Sequence, residues 1–133
     1  MKPSPSYKDL RVWQHAMELV TCVYAETKDF PREEIYGLTS QMRRAAVSIP
    51  SNIAEGKGRF TDRDRNQFFC HARGSLLELE TQILIAQRLE YLPIASVEKL
   101  TNLSAELGRM LNALIQCMRG PETRSKSAAG AEV

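Results

Sequence analysis

Apolar residues recur at steps of three and four along four separate segments of this chain, and this spacing constrains the fold more than any other feature. Residues three or four positions apart lie on the same face of an α-helix. No segment alternates with the period of two that is typical of a strand. The sequence therefore predicts an all-α fold. The most regular stripe is in the fourth segment and comprises Val97, Leu100, Ser104, Leu107, Leu111, Leu114 and Met118.

The other three segments carry stripes of the same kind. The stripe of the first segment, between positions 7 and 28, comprises Leu10, Trp13, Met17, Val20 and Tyr24. The stripe of the second, from position 39 to the glycines at 56 and 58, comprises Met42, Ala46, Ile49 and Ile53. The stripe of the third comprises Phe69, Ala72, Leu76, Leu79, Ile83 and Ala86.

Capping and stop signals bound these helices. Ser6, with Asp9 three positions later, is suited to cap the first helix, and Thr61 is suited to cap the third. Prolines at positions 31 and 93 end the first and third helices, because the residue before a proline is pushed out of the helical region. The fourth helix is expected to end at Gly120.

Four amphipathic helices with short connections predict an antiparallel up-down-up-down four-helix bundle. The length of 133 residues suits one domain, which we place at residues 1–119. Residues 120–133 are small and polar without periodicity, and we expect them to form a disordered tail. The third and fourth helices are apolar beyond one stripe, which favours assembly into a ring-shaped homo-oligomer. The surplus residues are Leu77, Leu84, Ile85, Leu103, Met110 and Ile115.

Pro50 interrupts the second helix and raises a structural question. It cannot donate a hydrogen bond to the carbonyl of Ala46, and in a helix interior this costs about 3 kcal/mol. Either the helix kinks at this point, or it breaks and Pro50 begins a new short helix. Donors for the exposed carbonyls are available in Ser48, Ser51 and Asn52.

The residues around Pro50 are small, so another helix can approach closely. Gly74 and Ser75 on the third helix are expected to supply the matching flat surface. Glu55 lies in the last turn of its helix, where the dipole disfavours a carboxylate, and therefore needs a basic partner. Candidates for that partner are Arg44, Arg59 and Arg73.

Basic residues are concentrated in the middle of the chain, although the net charge is only +2. Such a cluster favours contact with nucleic-acid phosphates, and a solvated charged loop is the alternative. The candidate nucleic-acid-binding residues are Arg43, Lys57, Arg59, Arg63 and Arg65.

Catalytic, metal and membrane functions are not indicated. A di-iron bundle needs a glutamate three residues before a histidine, and Val12 and Phe68 stand before His15 and His71 instead. His71 and Ser75 share one helix face, but no third group orients them for nucleophilic catalysis. We therefore expect no catalytic residue, metal or cofactor. No apolar run reaches the ~18 residues that a membrane span requires, and no signal peptide is recognisable, so the cytoplasm is the expected location.

The string S-I-P-x-N-I-A-E-G, with the preceding arginine and a later Gly-Ser pair, resembles the 23S rRNA-intervening-sequence protein family. The residues that carry the resemblance are Arg44, Ser48, Pro50, Asn52, Glu55, Gly56, Gly74 and Ser75. It covers about residues 7–118 and implies a bacterial four-helix bundle that assembles as a homopentamer. Related accessory proteins of diversity-generating retroelements bind a reverse transcriptase and nucleic acid.

Two functions are consistent with these observations. The first is a non-enzymatic, homo-oligomeric scaffold or accessory factor that binds a macromolecule such as a nucleic-acid-processing protein. The second is a nucleic-acid-binding module that uses the basic residues between the second and third helices. A steep salt dependence of RNA or DNA binding would separate the second from the first.

Overall fold

Four α-helices make up most of the chain. The computed structural model describes residues 6–119, and within them no strand occurs, so the all-α prediction is confirmed. The helices are α1 (Arg11–Glu26), α2 (Leu38–Lys57), α3 (Asp62–Arg88) and α4 (Ile94–Arg119), with short 3-10 helices at Tyr7–Asp9 and Arg32–Glu34. The tail predicted at residues 120–133 lies outside the described part.

Each helix packs against its neighbours in the chain, and α1 also packs against α4. This cyclic pattern of contacts is consistent with a four-helix bundle. The connectors from α2 to α3 and from α3 to α4 are short, as antiparallel neighbours require. Among residues 6–119, no helix has the length and hydrophobicity needed to cross a membrane.

The predicted stripes of α2 and α3 are buried throughout, so both are confirmed. In α4 the stripe is buried from Val97 to Leu111, but at its end Ile115 takes the core position. Leu114 packs on the core only partly buried. Ile115 was expected among the surplus apolar residues and is 1% exposed, so that assignment is wrong.

The apolar stripe predicted for α1 is wrong, because most of its residues lie one position after the residues that face the core. The residues that enter the core are Val12, Ala16, Leu19 and Val23. Met17 and Tyr24 of the predicted stripe are exposed, whereas Trp13 and Val20 pack at the edge of the core. Neighbouring residues of a helix are rotated by about 100°, so two apolar stripes lie side by side here. The inner one has the smaller residues and allows the neighbouring helices to approach.

Capping side chains act where the sequence indicated them. The Ser6 hydroxyl and the Asp9 carboxylate form a capping box, but it caps the 3-10 helix before α1. The Thr61 hydroxyl accepts from the amide of Asp64 and caps α3. That helix ends at Arg88, before the predicted Pro93, and the chain turns through Glu90, which has a left-handed φ of 62°.

Pro50 lies inside a continuous α2, so the alternative in which it begins a new helix is wrong. The kink stays a prediction. Two of the three expected side chains donate one turn back, but to the carbonyls of Val47 and Ser48 rather than to that of Ala46. The Ser51 hydroxyl donates to Val47 O at 2.9 Å, and Asn52 Nδ2 donates to Ser48 O at 2.8 Å. These bonds supplement the backbone ladder beside the proline.

Candidate functional site

Three residues of the string around Pro50, namely Ser48, Asn52 and Gly56, serve the contact between α2 and α3. The hydroxyl oxygens of Ser48 and Ser75 lie 2.8 Å apart, and Asn52 Nδ2 donates to Ser48 Oγ at 2.9 Å. A chain of three polar side chains therefore crosses between the two helices. The Ser48–Ser75 bond is the one that crosses between the helices, and Asn52 orients Ser48 for it from within α2.

Gly56 allows the closest approach of these helices. A Cβ atom at this position would lie 2.7 Å from Phe69 Cε1 and 3.1 Å from the carbonyl oxygen of Arg65. Gly74 behaves differently: a Cβ there would meet nothing within 4 Å, and the residue is exposed. The prediction that Gly74 forms a flat surface for α2 is therefore wrong, and Ser75 alone faces that helix.

Glu55 is exposed and forms no ion pair in the described part of the chain. Arg44, Arg59 and Arg73 are also exposed. The expected pairing of Glu55 with one of them is wrong among the described residues, since the carboxylate is exposed to solvent at this helix end. Among residues 6–119 the one ion pair joins Arg65 Nη1 to Asp62 Oδ1 at 2.9 Å.

The connector between α2 and α3 exposes basic and aromatic side chains together. Lys57, Arg59 and Arg63 are exposed, and Phe60 is 95% exposed. The Arg59 guanidinium lies 4.5 Å from the centre of the Phe68 ring, which holds it by a cation–π contact. We call Lys57, Arg59, Phe60 and Arg63 the basic connector. Arg65 is less available for contact with a phosphate, since it is half-buried and paired with Asp62.

Arg43 does not belong to the basic connector. It precedes Lys57 by 14 residues on the same helix, which separates their backbones by about 21 Å. Its Nε donates to Thr27 Oγ1 at 3.0 Å, and its Nη2 donates to the carbonyl of Tyr24 at 3.4 Å. The guanidinium also lies 4.6 Å from the centre of the Tyr24 ring. Arg43 therefore connects α2 to the end of α1.

A groove that sequence reasoning missed surrounds Arg43. One part has a volume of about 600 Å³, and an adjoining part has about 310 Å³. Both parts share Ile35, Thr39 and Arg43 as lining residues. We call it the α1–α2 groove. The groove has only a weak signature in the sequence, because its basic residues come from separate segments that the fold brings together.

The outer face of α3 carries apolar residues that no other element covers. Leu77 is 53% exposed and Leu84 is 55% exposed, and they lie two turns apart on one side of the helix with Gly74 one turn before. Shallow pockets beside them are lined from α4 by Ala105 and Gly108. We call this surface the α3–α4 face.

The remaining candidates for chemistry are engaged in structural contacts. The Ser75 hydroxyl bonds Ser48, and the His71 ring packs against Phe68 with centroids 6.0 Å apart. No group of three or more potential metal ligands occurs among residues 6–119.

Tyr91 joins two connectors of the bundle. Its hydroxyl donates to Glu34 Oε2 at 3.0 Å, and this hydrogen bond raises the pKa of Tyr91, with burial and the charges of Glu34 and Glu33 acting in the same direction.

Comparison with known proteins agrees with this geometry. The family described as 23S rRNA-intervening sequence protein matches residues 8–113. A similar solved structure is that of a protein with unknown function from the S23 ribosomal protein family of Bacteroides thetaiotaomicron VPI-5482, with a TM-score of 0.72 and 21% identity. The match covers 79% of this chain and 98% of that one, and it shows a shared fold. No sequence among curated proteins matches.

Proposed function

The chain belongs to the 23S rRNA-intervening sequence protein family, and from this premise we propose that it is a non-enzymatic, homo-oligomeric scaffold or accessory factor. Its copies associate through the α3–α4 face, and the assembly binds a macromolecular partner such as a nucleic-acid-processing protein. The resemblance of the Pro50 string to the family favours a ring of five subunits.

Leu77 and Leu84 carry this proposal. Leu77 is 53% and Leu84 is 55% exposed in the isolated subunit, so burying the rest of each leucine contributes roughly half of the 1.5–3 kcal/mol that complete burial of an exposed leucine provides. Ala105 and Gly108 on α4 are small, so the leucine of a second copy has room to enter beside them. Glu80, Arg73 and Arg109 at the same pockets add charges that can set the register.

Gly74 supports the same surface independently. A glycine inside an exposed helix costs about 1 kcal/mol relative to alanine, and nothing in its own subunit occupies the space beside it. It lies on the side of α3 that carries Leu77. A glycine on this face permits the close approach of another chain, which would offset its local cost.

The test is the mass of the particle in solution, measured by light scattering after size-exclusion chromatography. We expect wild-type protein to be an oligomer at micromolar concentration and Leu77→Glu/Leu84→Glu to be a folded monomer. Met17→Glu is the matched control, because Met17 is an exposed apolar residue of α1, which does not contact α3. A monomeric wild type, or equal dissociation by the control, would contradict the proposal.

The basic connector favours a second function, nucleic-acid binding. Lys57, Arg59 and Arg63 can contact phosphates, and Phe60 at 95% exposure offers a ring on which an unpaired base can stack. Repetition of the connector around a homo-oligomer would multiply its weak attraction. Single-stranded RNA or DNA is the form of nucleic acid that such an aromatic residue suits.

Salt dependence tests this second function. Affinity for a single-stranded oligonucleotide should fall steeply with salt, and Lys57→Gln/Arg63→Gln should lower the slope of log K against log salt by about 1.4. Arg88→Gln/Lys99→Gln removes the same charge outside the connector and should leave the slope unchanged. An affinity that does not respond to salt, or no binding at low salt, would eliminate the function.

A further inference from the structure

The α1–α2 groove has the composition of an anion site, and we propose that it binds a small ligand that bears a phosphate group. The groove lies between the end of α1 and the first half of α2, on a different part of α2 from the basic connector. The groove shares no residue with the α3–α4 face, so this proposal does not depend on whether the protein forms an oligomer.

The charge of the lining is entirely positive. Its two parts are lined by Lys28, Arg32, Arg43 and Arg44, and no carboxylate lines either one. The acidic residues of the neighbouring connector lie outside this lining. Glu34 accepts from the amide of Leu38 and from the hydroxyl of Tyr91, whereas Asp29 and Glu33 are exposed outside the groove.

Two arginines of α2 present their guanidinium groups in different ways. Arg43 is held in place by Thr27 and by the carbonyl and ring of Tyr24, so its orientation is set before a ligand arrives. Arg44, which follows it, is exposed and makes no hydrogen bond or ion pair within the described residues. Together they supply one donor that is held in place and one that is exposed, and a phosphate with several oxygens can accept from both.

Thr39 provides an independent indication of a ligand. It lines both parts of the groove and is 7% exposed, yet its hydroxyl has no hydrogen-bond partner. A buried hydroxyl without a partner costs about 1–3 kcal/mol. Threonine in a helix divides between two χ1 rotamers, so rotation can turn this hydroxyl towards a bound oxygen atom. A ligand in the groove would therefore satisfy a group that the protein alone leaves unpaired.

The start of α2 is already occupied by a carboxylate. Thr39 and Ser40 are in the first turn of this helix, and the amide of Leu38, its first residue, donates to Glu34 Oε1 at 3.2 Å. The attraction of the groove for an anion therefore comes from its basic side chains and not from the helix dipole.

The size of the groove indicates a small molecule. A volume of about 600 Å³ is within the range of small-ligand sites, and Tyr24, Ile35 and Val47 provide apolar walls beside the arginines. A ligand with a phosphate at one end and a flat apolar body, such as a nucleoside monophosphate, matches both features. A strand of nucleic acid would also need to reach the basic connector, about 21 Å away along α2.

Isothermal titration calorimetry with inorganic phosphate, adenosine monophosphate and adenosine tests the proposal on the full chain. We expect the monophosphate to bind more tightly than inorganic phosphate, and adenosine to show no binding at the same concentrations. Absence of binding by both phosphate probes at millimolar concentration would overturn the proposal. Binding of adenosine as tight as that of its monophosphate would also overturn it.

Two variants test the residues. Arg44→Gln should weaken binding of the monophosphate by about tenfold, because it removes a charge-assisted hydrogen bond. Thr39→Val should weaken it by roughly threefold to tenfold while the melting temperature stays equal or rises, since the lost hydroxyl has no partner in the free protein. A purely structural threonine would leave the affinity unchanged, and that result would overturn the role of Thr39.

The matched control is Lys99→Gln, which removes one positive charge from an exposed position of α4, a helix that does not pack against α2. It should leave the affinity for the monophosphate unchanged. An equal loss in Lys99→Gln and Arg44→Gln would show that general positive charge causes the binding, and it would overturn the site. A single-stranded oligonucleotide that displaces the monophosphate only when the basic connector is intact would show that the groove is part of a nucleic-acid surface, which also overturns the small-molecule proposal.

Discussion

Ser48 Oγ on α2 lies 2.8 Å from Ser75 Oγ on α3, and this hydrogen bond joins two separated parts of the string that resembles the family. Both residues are half-buried. Part of the most recognisable sequence signature therefore acts within the fold, at the contact of two helices. Two of its other residues lie on exposed surfaces, Gly74 on the α3–α4 face and Arg44 in the α1–α2 groove.

The Ser48–Ser75 bond gives the first prediction. Ser48→Ala and Ser75→Ala should each lower the free energy of unfolding by about 1 kcal/mol, because each leaves a half-buried hydroxyl without this partner. The double variant should lose less than the sum of the two. Urea unfolding of all four proteins measures this coupling. Strict additivity would show that the two hydroxyls do not interact.

Gly56→Ala should destabilise the subunit by roughly 1–3 kcal/mol. The new methyl group would lie 2.7 Å from Phe69 and 3.1 Å from the backbone of Arg65, and such overpacking forces the helices apart. Thermal unfolding measures the effect. Gly58→Ala is the control, because a Cβ there meets no atom closer than 3.6 Å. Equal melting temperatures for Gly56→Ala and wild type would refute the close approach.

Gly74→Ala should have opposite effects on the subunit and on its association. In the background of Leu77→Glu/Leu84→Glu it should raise the free energy of unfolding by up to about 1 kcal/mol, since alanine favours the helix. In the wild-type background the added methyl group should weaken the oligomer, which dilution experiments by light scattering can detect. An oligomer that tolerates the methyl group would place Gly74 outside the interface.

The Tyr91–Glu34 bond predicts a dependence on alkaline pH. This bond raises the pKa of Tyr91 in the folded protein above its usual value of about 10, so folding favours the neutral phenol. The resulting stability is present below about pH 10 and is lost as the pH rises through the raised value. The difference in melting temperature between wild type and Tyr91→Phe should therefore shrink above about pH 10. A constant difference would contradict the assignment.

Helix number and most of the core could be predicted because both depend on local periodicity. All of the predicted apolar positions of α2 and α3 are buried. Helix α1 shows the limit, since two apolar stripes lie side by side and only the positions of α2 and α4 select the inner one. The presence of Pro50 likewise left two geometries open, and the continuous helix became evident only in the structure.

The candidate sites were less predictable, because they depend on distances between segments that are far apart in the sequence. Charge alone predicts that Arg43 acts with the connector, yet helix geometry places it about 21 Å from Lys57. The unpaired hydroxyl of Thr39 and the open space beside Gly74 have no signature in the sequence. Both depend on the absence of neighbouring atoms, which only the packing of the whole fold determines.

Glu34 uses its two carboxylate oxygens for different parts of the bundle. One accepts from the Leu38 amide at the start of α2, and the other accepts from Tyr91, which follows α3. This carboxylate thus connects the helical hairpin α1–α2 to the hairpin α3–α4 by a hydrogen bond, at the end where both hairpins turn. The bond to Leu38 lies within the first hairpin and holds the carboxylate in place, so sliding of one hairpin along the other would have to break the bond to Tyr91. This carboxylate therefore opposes shear between the two halves of the molecule.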